Sequence, residues 1–347
     1  MAANYSLVDG DLVVARTGAS VGKSYRYRPV DGDLVFAGFL MAVRPDPDVL
    51  DPGYLSCIFQ SKSYWNWIAA ESMRSGQPGL NAQQLGQLEI NPPCIEEQRA
   101  IAEAVQRVDD LLDALERLIA KKGDVRQGIL QELLTGRTRL SGFTGEWRDV
   151  ELGQLGTFLK GRGITRDDVR SAGVPCIRYG ELYTAYHNYA RETVSFVDPD
   201  VAMSALSIRS GDLLFAVSGE TKAEIGMTVA YVGDLAAVAG GDIIVLRGTG
   251  FDPIFVGSLL NTPPLAAQKA SRGQGDAVVH IGAGALSALR FSLPGIDEQL
   301  AIAAVLQNAD AEIEALERRL ESARAVKVGM MQELLTGRTR LLVKEKI

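Results

Sequence analysis

The decapeptide QELLTGRTRL occupies Gln131–Leu140 and recurs unchanged at Gln332–Leu341, an offset of 201 positions (332 − 131). The same offset carries Glu97-Gln98 onto Glu298-Gln299, and Gly10-Asp11-Leu12 onto Gly211-Asp212-Leu213. Three separated landmarks at one spacing mark an internal duplication, which decides the architecture before any local reading does. Residues 1–140 map onto residues 202–341. The stretch Trp147–Val201, about 55 residues, has no counterpart in the first copy. The first globular part is therefore expected to lack an N-terminal portion that the second has.

Upstream of each decapeptide runs a heptad seam. In the first copy it is Ile101, Val105, Val108, Leu112, Leu115 and Ile119, in steps of four and three. After two polar positions it resumes at Ile129 and Leu133. In the second copy it is Ile302, Leu306, Ala309, Ile313, Leu316, Leu320 and Ala323, then Met330 and Leu334. Pro92-Pro93 is expected to stop a preceding strand. Glu96 and Glu97 then suit the positive end of a first helical turn. Gly136 and Gly337 suit a left-handed helix end, with neighbouring arginines near the negative terminus. Each helix is expected to run about 40 residues, roughly 55–60 Å. The stripe is narrow, and the opposite face carries Asp109, Asp110, Asp113, Glu116, Arg117, Lys121 and Lys122. That pattern fits a coiled-coil seam better than a globular core. Two matching stripes in one chain predict an antiparallel pair with pseudo-two-fold symmetry.

The rest reads as short strands and turns. Asp11–Ala15, Val35–Val43, Leu213–Val217, Val229–Val232 and Ile243–Leu246 are β-rich, several of them bounded by Asp-Gly, Gly-Asp or Pro-Gly. Tyr54–Ala70 and Phe255–Ala270 are expected as helices, with Tyr64, Trp65 and Trp67 in a core. The fold class is α+β: two globular α/β parts, the first incomplete, joined by two long helices. The expected segments are 1–95 and 141–294 for the globular parts, 96–140 and 295–341 for the helices, and a tail at 342–347.

Composition bounds the function. Apolar residues make up 46% and charged residues 23%, an ordinary globular balance. A net charge of −7 means that any nucleic-acid binding must rest on local basic patches or on a basic partner. Cys57, Cys94 and Cys176 lack metal or redox spacing and read as reduced thiols in a cytoplasmic protein. No apolar run approaches the roughly 18 residues of a membrane span, and the N-terminus does not read as a signal peptide.

These motifs together resemble the specificity subunit of type I restriction–modification systems. The resemblance covers nearly the whole chain. It rests on the PxxxEQxxIA runs at Pro93–Ala102 and Pro294–Ala303, the LLTGRTRL closes, the Trp147-Arg148 entry and the GDLVVARTGASVGKS strand and loop. It implies two target-recognition domains that each read one half of a split site in double-stranded DNA. It implies helices that dock two methyltransferase subunits, in a complex that recruits restriction subunits. It also implies adenine methylation with S-adenosylmethionine bound by the methyltransferase, hence no cofactor on this chain. For the shortened first domain three readings stay open: a truncated product, a longer natural start that has been lost, or completion by a second specificity chain or a fragment of one.

Candidate DNA contacts follow from residue type. Ala15–Ser24, ARTGASVGKS, is one residue short of a phosphate loop, since three residues rather than four separate Gly18 from Gly22. Arg16, Thr17, Ser20 and Lys23 are instead read as meeting DNA. The matching loop of the second copy offers Ser218 and Lys222. A second loop in each copy supplies Arg74 and Gln77, or Arg272 and Gln274, side chains that pair with guanine and adenine edges. Lys160, Arg162, Arg166, Arg178 and Tyr179 flank the same face by resemblance, and His280 joins them. Each of these also reads as an ordinary solvated loop residue. No paired carboxylates, activated nucleophile or metal cluster stands out, so the chain reads as a non-enzyme. The competing readings are a coiled-coil scaffold without DNA recognition and a nucleotide-binding enzyme using Gly18–Ser24.

Overall fold

The computed structural model describes residues 5–72, 79–275 and 279–341. The first copy opens with β1 (Leu12–Ala15), β2 (Ser24–Arg26) and β3 (Leu40–Val43), followed by α1 (Pro52–Gln60), α2 (Lys62–Ser72), α3 (Ala82–Leu85) and the 40-residue α4 (Ile95–Leu134). The second copy contributes β4 (Arg148–Glu151), β5 (Gly156–Lys160), β6 (Val169–Arg170), β7 (Val174–Ile177), α5 (Glu181–Thr184), β8 (Tyr189–Ala190), β9 (Ser195–Val197) and α6 (Pro199–Ser204). It continues through β10 (Leu206–Ile208), β11 (Leu213–Ala216), β12 (Ser218–Gly219), β13 (Thr228–Tyr231), β14 (Ala237–Ala239) and β15 (Ile243–Gly248). Then come α7 (Pro253–Leu260), α8 (Pro263–Arg272), β16 (Val279–His280), α9 (Ala283–Ser287), β17 (Arg290–Leu293) and the 40-residue α10 (Ile296–Leu335). No helix among the described residues is long and apolar enough to cross a membrane.

The chain divides into two compact units, 1–120 with 314–347 and 121–313, so each unit takes part of both long helices. In the second unit, β11, β13 and β15 are apolar at nearly every position, because both faces of their sheet are covered. Leu213, Phe215 and Leu246 face a core shared with α7 and with Ile302 and Leu306 of α10. Leu214, Val229 and Val245 face a second core with Ile177 and Ile208 of the other sheet. The sheet orders are β5-β15-β11-β13-β8 and β10-β14-β7-β9-β6. In the first unit the sheet is β2-β1-β3, matching β13-β11-β15 strand for strand and register for register.

The seam residues lie inside. Ile101, Val105, Leu115, Ile302, Leu306 and Leu320 are buried, while Val108, Leu112, Ile119, Ile313 and Leu316 are half-buried. The helices run antiparallel in each unit: Asp109 and Glu116 of α4 meet Lys327 and Arg324 of α10, and Lys122 and Arg126 meet Glu312 and Asp310. Lys122 and Arg126 are the polar interruption of the first seam.

The repeated motifs turn out to be staples between elements. Arg340 Nε lies 2.7 Å from Glu97 Oε1 in the first unit, and Arg139 Nη2 lies 2.6 Å from Glu298 Oε2 in the second. The arginine that closes one helix thus holds the glutamate that opens the other, rather than its own helix end. Gln98 and Gln299 each accept the N–H of a residue that caps the next helix, Asp51 or Asp252, both at 2.9 Å, and donate to Pro93 or Pro294. Asp11 binds Arg44 as Asp212 binds Arg247. Gly136 and Gly337 adopt φ of +68° and +70°, the left-handed close read from the sequence.

Five local expectations need correction. Tyr54–Ala70 is two helices broken at Ser61, and Phe255–Ala270 is two broken before Pro263, which cannot continue a helix. Only Leu40–Val43 of the Val35–Val43 run is a strand. Trp65 is exposed, whereas Tyr64 is buried and Trp67 half-buried. Among the described residues no strand runs up to Pro92-Pro93, although Pro294, the twin of Pro93, follows β17.

Candidate nucleic-acid interface

In the second unit the loop after β11 begins at Val217, whose N–H donates to Asp242 O and whose carbonyl accepts from Ile281 N. Two more backbone bonds extend this rim: Gly241 N donates to Gly163 O, and Gly240 N to Ile177 O. The chain segments carrying Lys160–Arg166, Arg178-Tyr179, Ser218–Lys222 and His280 are therefore tied to one another at one end of the sheets. β12 pairs with β16, setting Ser218 opposite His280, and Gln274 exchanges both backbone bonds with His280. Ile164 and Asp242, at φ +55° and +57°, are the described non-glycine residues with left-handed backbone, and both sit in this rim. Such strain gathers where a surface is shaped for function. Neither was legible in the sequence.

The candidates fare differently on this rim. Lys160, Arg162, Arg166, Tyr179, Lys222, Gln274 and His280 are exposed. Ser218 is buried, with its Oγ 3.0 Å from His280 Nδ1, so it positions His280 and presents no hydroxyl to a ligand. Arg178 is held by Glu181 at 2.7 Å, and Arg272 donates to Gln268 O and Ala288 O. These two guanidiniums shape the rim from behind.

The first unit builds a matching feature. Arg16, Thr17, Ser20 and Lys23 are exposed on the loop between β1 and β2. Thr17 bridges to Gly79 as Ser218 pairs with His280, again 201 positions on. Gly18 and Gly22 take φ of +74° and +82°, and the loop runs into a strand, not into the helix a phosphate loop requires. Arg74 and Gln77 lie outside the described residues.

One buried cation was missed. Lys269 sits beneath the second-unit loop and donates to Gly226 O at 2.5 Å, with Thr228 Oγ1 and Asn261 Oδ1 at 3.4 Å. Its twin position is Ile68, but the first unit caps the matching carbonyl, Gly22 O, with the Tyr64 hydroxyl at 2.8 Å. Both units thus anchor the base of the same loop with different chemistry. Burial pushes Lys269 down to about 7, against about 10.4 in an unfolded chain. Between those values the unfolded chain binds a proton that the folded one does not, so stability rises with pH across that window, by at most roughly 1.4 kcal/mol per unit. Urea titrations at pH 7 and pH 9 should show wild type gaining on Lys269→Met. Parallel profiles would mean that Lys269 keeps its charge. Burial likewise pushes the Cys57 and Cys176 thiols up to about 11, away from reactive thiolate.

The comparisons agree with this geometry. Residues 3–122 match the family model described as type I restriction modification DNA specificity domain. Two relatives come from Methanocaldococcus jannaschii. One, provisionally assigned as the type I restriction enzyme MjaX specificity subunit, is 24% identical over 98% of this chain and 80% of its own length. The other, the type I restriction enzyme MjaVIII specificity subunit, is 22% identical over 84% and 71%. The fold matches the crystal structure of a type I restriction–modification S subunit from M. genitalium, with TM-score 0.61 and 16% identity over 95% of this chain and 84% of that one. Duplicated staples, paired helices and matched relatives converge: residues 3–122 match the DNA specificity domain of type I restriction–modification systems, and nearly the whole chain is similar to their specificity subunits.

Proposed function

We propose that this chain is a non-catalytic subunit that reads a split DNA site with the loop rims of its two units. The observation that carries this reading is the twin pairing of Thr17 with Gly79 and of Ser218 with His280. It sets the loop after the shared strand beside a second chain segment in both copies; that first loop carries Arg16 and Lys23 in the first copy, and Lys222 between Glu220 and Glu224 in the second. In the second unit Lys222, Gln274 and His280 are exposed at that junction, together with Glu220 and Glu224, and these three are the groups suited to phosphate and base edges. The constant staples and the differing rims suit an asymmetric site read by two halves. The helices dock two methyltransferase subunits, which hold the S-adenosylmethionine, and restriction subunits join that complex. A second specificity chain, or a fragment of one, docks on the first unit. The assembly works in the cytoplasm.

The test is to co-express the chain with its methyltransferase subunit and map adenine methylation by long-read sequencing. Wild type should give a split, asymmetric motif. Lys222→Ala with Gln274→Ala should relax one half only, and Arg16→Ala with Lys23→Ala the other. A direct base contact is worth about 1–3 kcal/mol, roughly 5- to 150-fold in discrimination. An unchanged motif in both variants would remove these loops from the reading surface. A palindromic motif would mean that two chains pair and only the second unit reads. Failure to co-purify with the methyltransferase would favour a scaffold.

A further inference from the structure

In the second unit, the tryptophan that follows the first QELLTGRTRL has a built seat. The Trp147 ring lies against Gly136, where an added Cβ would come within 3.3 Å of the indole. It meets Phe255 edge-on at 6.2 Å between centroids. Arg139 lies over the ring at 5.6 Å, and the indole N–H donates to Glu298 Oε2 at 3.2 Å. The strand that follows, β4, pairs with β17 from Arg148 opposite Leu293 to Glu151 opposite Arg290.

The first unit holds every residue of that seat. Shifted by 201, Gly136, Arg139, Phe255 and Glu298 become Gly337, Arg340, Tyr54 and Glu97. All four line one cleft of about 680 Å³. An added Cβ at Gly337 would meet nothing within 4 Å, where its twin meets an indole. The Arg340–Glu97 pair is already made, so the seat is formed in advance. The twin of β17, residues 89–92, walls the same cleft and has no strand partner among the described residues. Glu89, Asn91 and Pro92 there are exposed.

The geometry points to a docking groove for a tryptophan-led β-strand supplied in trans by a second polypeptide. The indole enters between Tyr54, Gly337 and the Arg340–Glu97 pair, with its N–H on Glu97 and its face under Arg340. The strand after it adds to the free edge at residues 89–91, by backbone bonds that do not depend on sequence. Pro92 stands where Leu293 pairs in the twin and has no N–H, so that end of the edge accepts but does not donate. This deepens the partner reading above and rests on it only for where the strand comes from.

The experiment uses the full chain and a fluorescein-labelled peptide of its own residues 145–155, GEWRDVELGQL, without DNA. Anisotropy should show saturable binding, weakened at least about tenfold by Trp147→Ala in the peptide. Because that substitution is in the peptide, it cannot unfold the protein. Hydrogen exchange should slow at Glu89, Ile90 and Asn91 when peptide is bound. No saturation up to millimolar peptide would overturn the groove, as would equal binding of the Trp147→Ala peptide or protection confined to other segments. Methylation mapping is a separate readout, so failure of the groove and failure of DNA reading remain distinguishable.

Discussion

Ile302→Ala is expected to lower the stability of the second unit by about 2–5 kcal/mol. Ile302 is fully buried, in one core with Leu133 of α4, Phe255 of α7 and Leu306 of its own helix. The lost side chain leaves a cavity between elements already fixed by other contacts, so little can collapse into it. At roughly 2–4 °C per kcal/mol for a unit of this size, the melting temperature should fall by about 5–15 °C. Ile302→Val should cost only about 0.5–1.5 kcal/mol. Val125→Ala, on a half-exposed face of α4, should stay within about 0.5 kcal/mol. Calorimetry on the three variants checks this. An Ile302→Ala cost no larger than that of Val125→Ala would mean that the seam is not part of the core.

The second large effect is expected at Gln299, from hydrogen bonding rather than volume. Its side chain accepts from Asp252 N at 2.9 Å and donates to Pro294 O at 2.8 Å, and it is almost wholly buried. Gln299→Ala strands a backbone donor and a backbone acceptor at once, at about 1–3 kcal/mol for each group left unsatisfied. A total of roughly 2–6 kcal/mol follows. Gln299 sits at the helix opening and contributes nothing to the loop rim. Methylation should therefore decline with the folded fraction while its sequence motif stays the same. A changed motif in a well-folded Gln299→Ala protein would show that this residue shapes DNA reading.

The long helices were legible because a 3.5-residue period and a repeated capping pattern are local signals that survive without tertiary context. The β1, β11 and β15 runs were legible for a similar reason, as unbroken apolar segments buried on both faces. The breaks at Ser61 and before Pro263 were written in the sequence, but apolar continuity across them masked the turn. Trp65 misled because its neighbours Tyr64 and Ile68 are core residues, and one helix carries both faces. The staples were visible only as repeated letters. Nothing local indicates that Arg139 reaches Glu298, 159 positions away. Lys269 was missed because a lysine in a helix is ordinarily solvated, and only packing reveals the carbonyl it meets. The rim strain at Ile164 and Asp242 belongs to backbone geometry that residue type does not encode.

The polar layer of the long helices has a consequence for partner choice. Arg126 faces Asp310, and Lys327 faces Asp109, which is the same pair shifted by one copy. Arg139 with Glu298 and Arg340 with Glu97 stand in the same relation. Those pairs are thus their own complement, but Glu116 with Arg324 and Lys122 with Glu312 are not, since the same shift puts Gly123 and Leu111 in place of Arg324 and Glu312. An α4 set antiparallel to another α4 would find Asp109 for its Arg126 and Glu97 for its Arg139. Charge placement fixes direction and register, and the two unduplicated pairs favour α10 over a second copy of α4 as the partner of α4. Covalent tethering adds to that preference by holding the internal mate at high effective concentration. Fidelity of this fold therefore rests on the connecting chain as well as on those two pairs, and severing it would turn a question of folding into one of assembly.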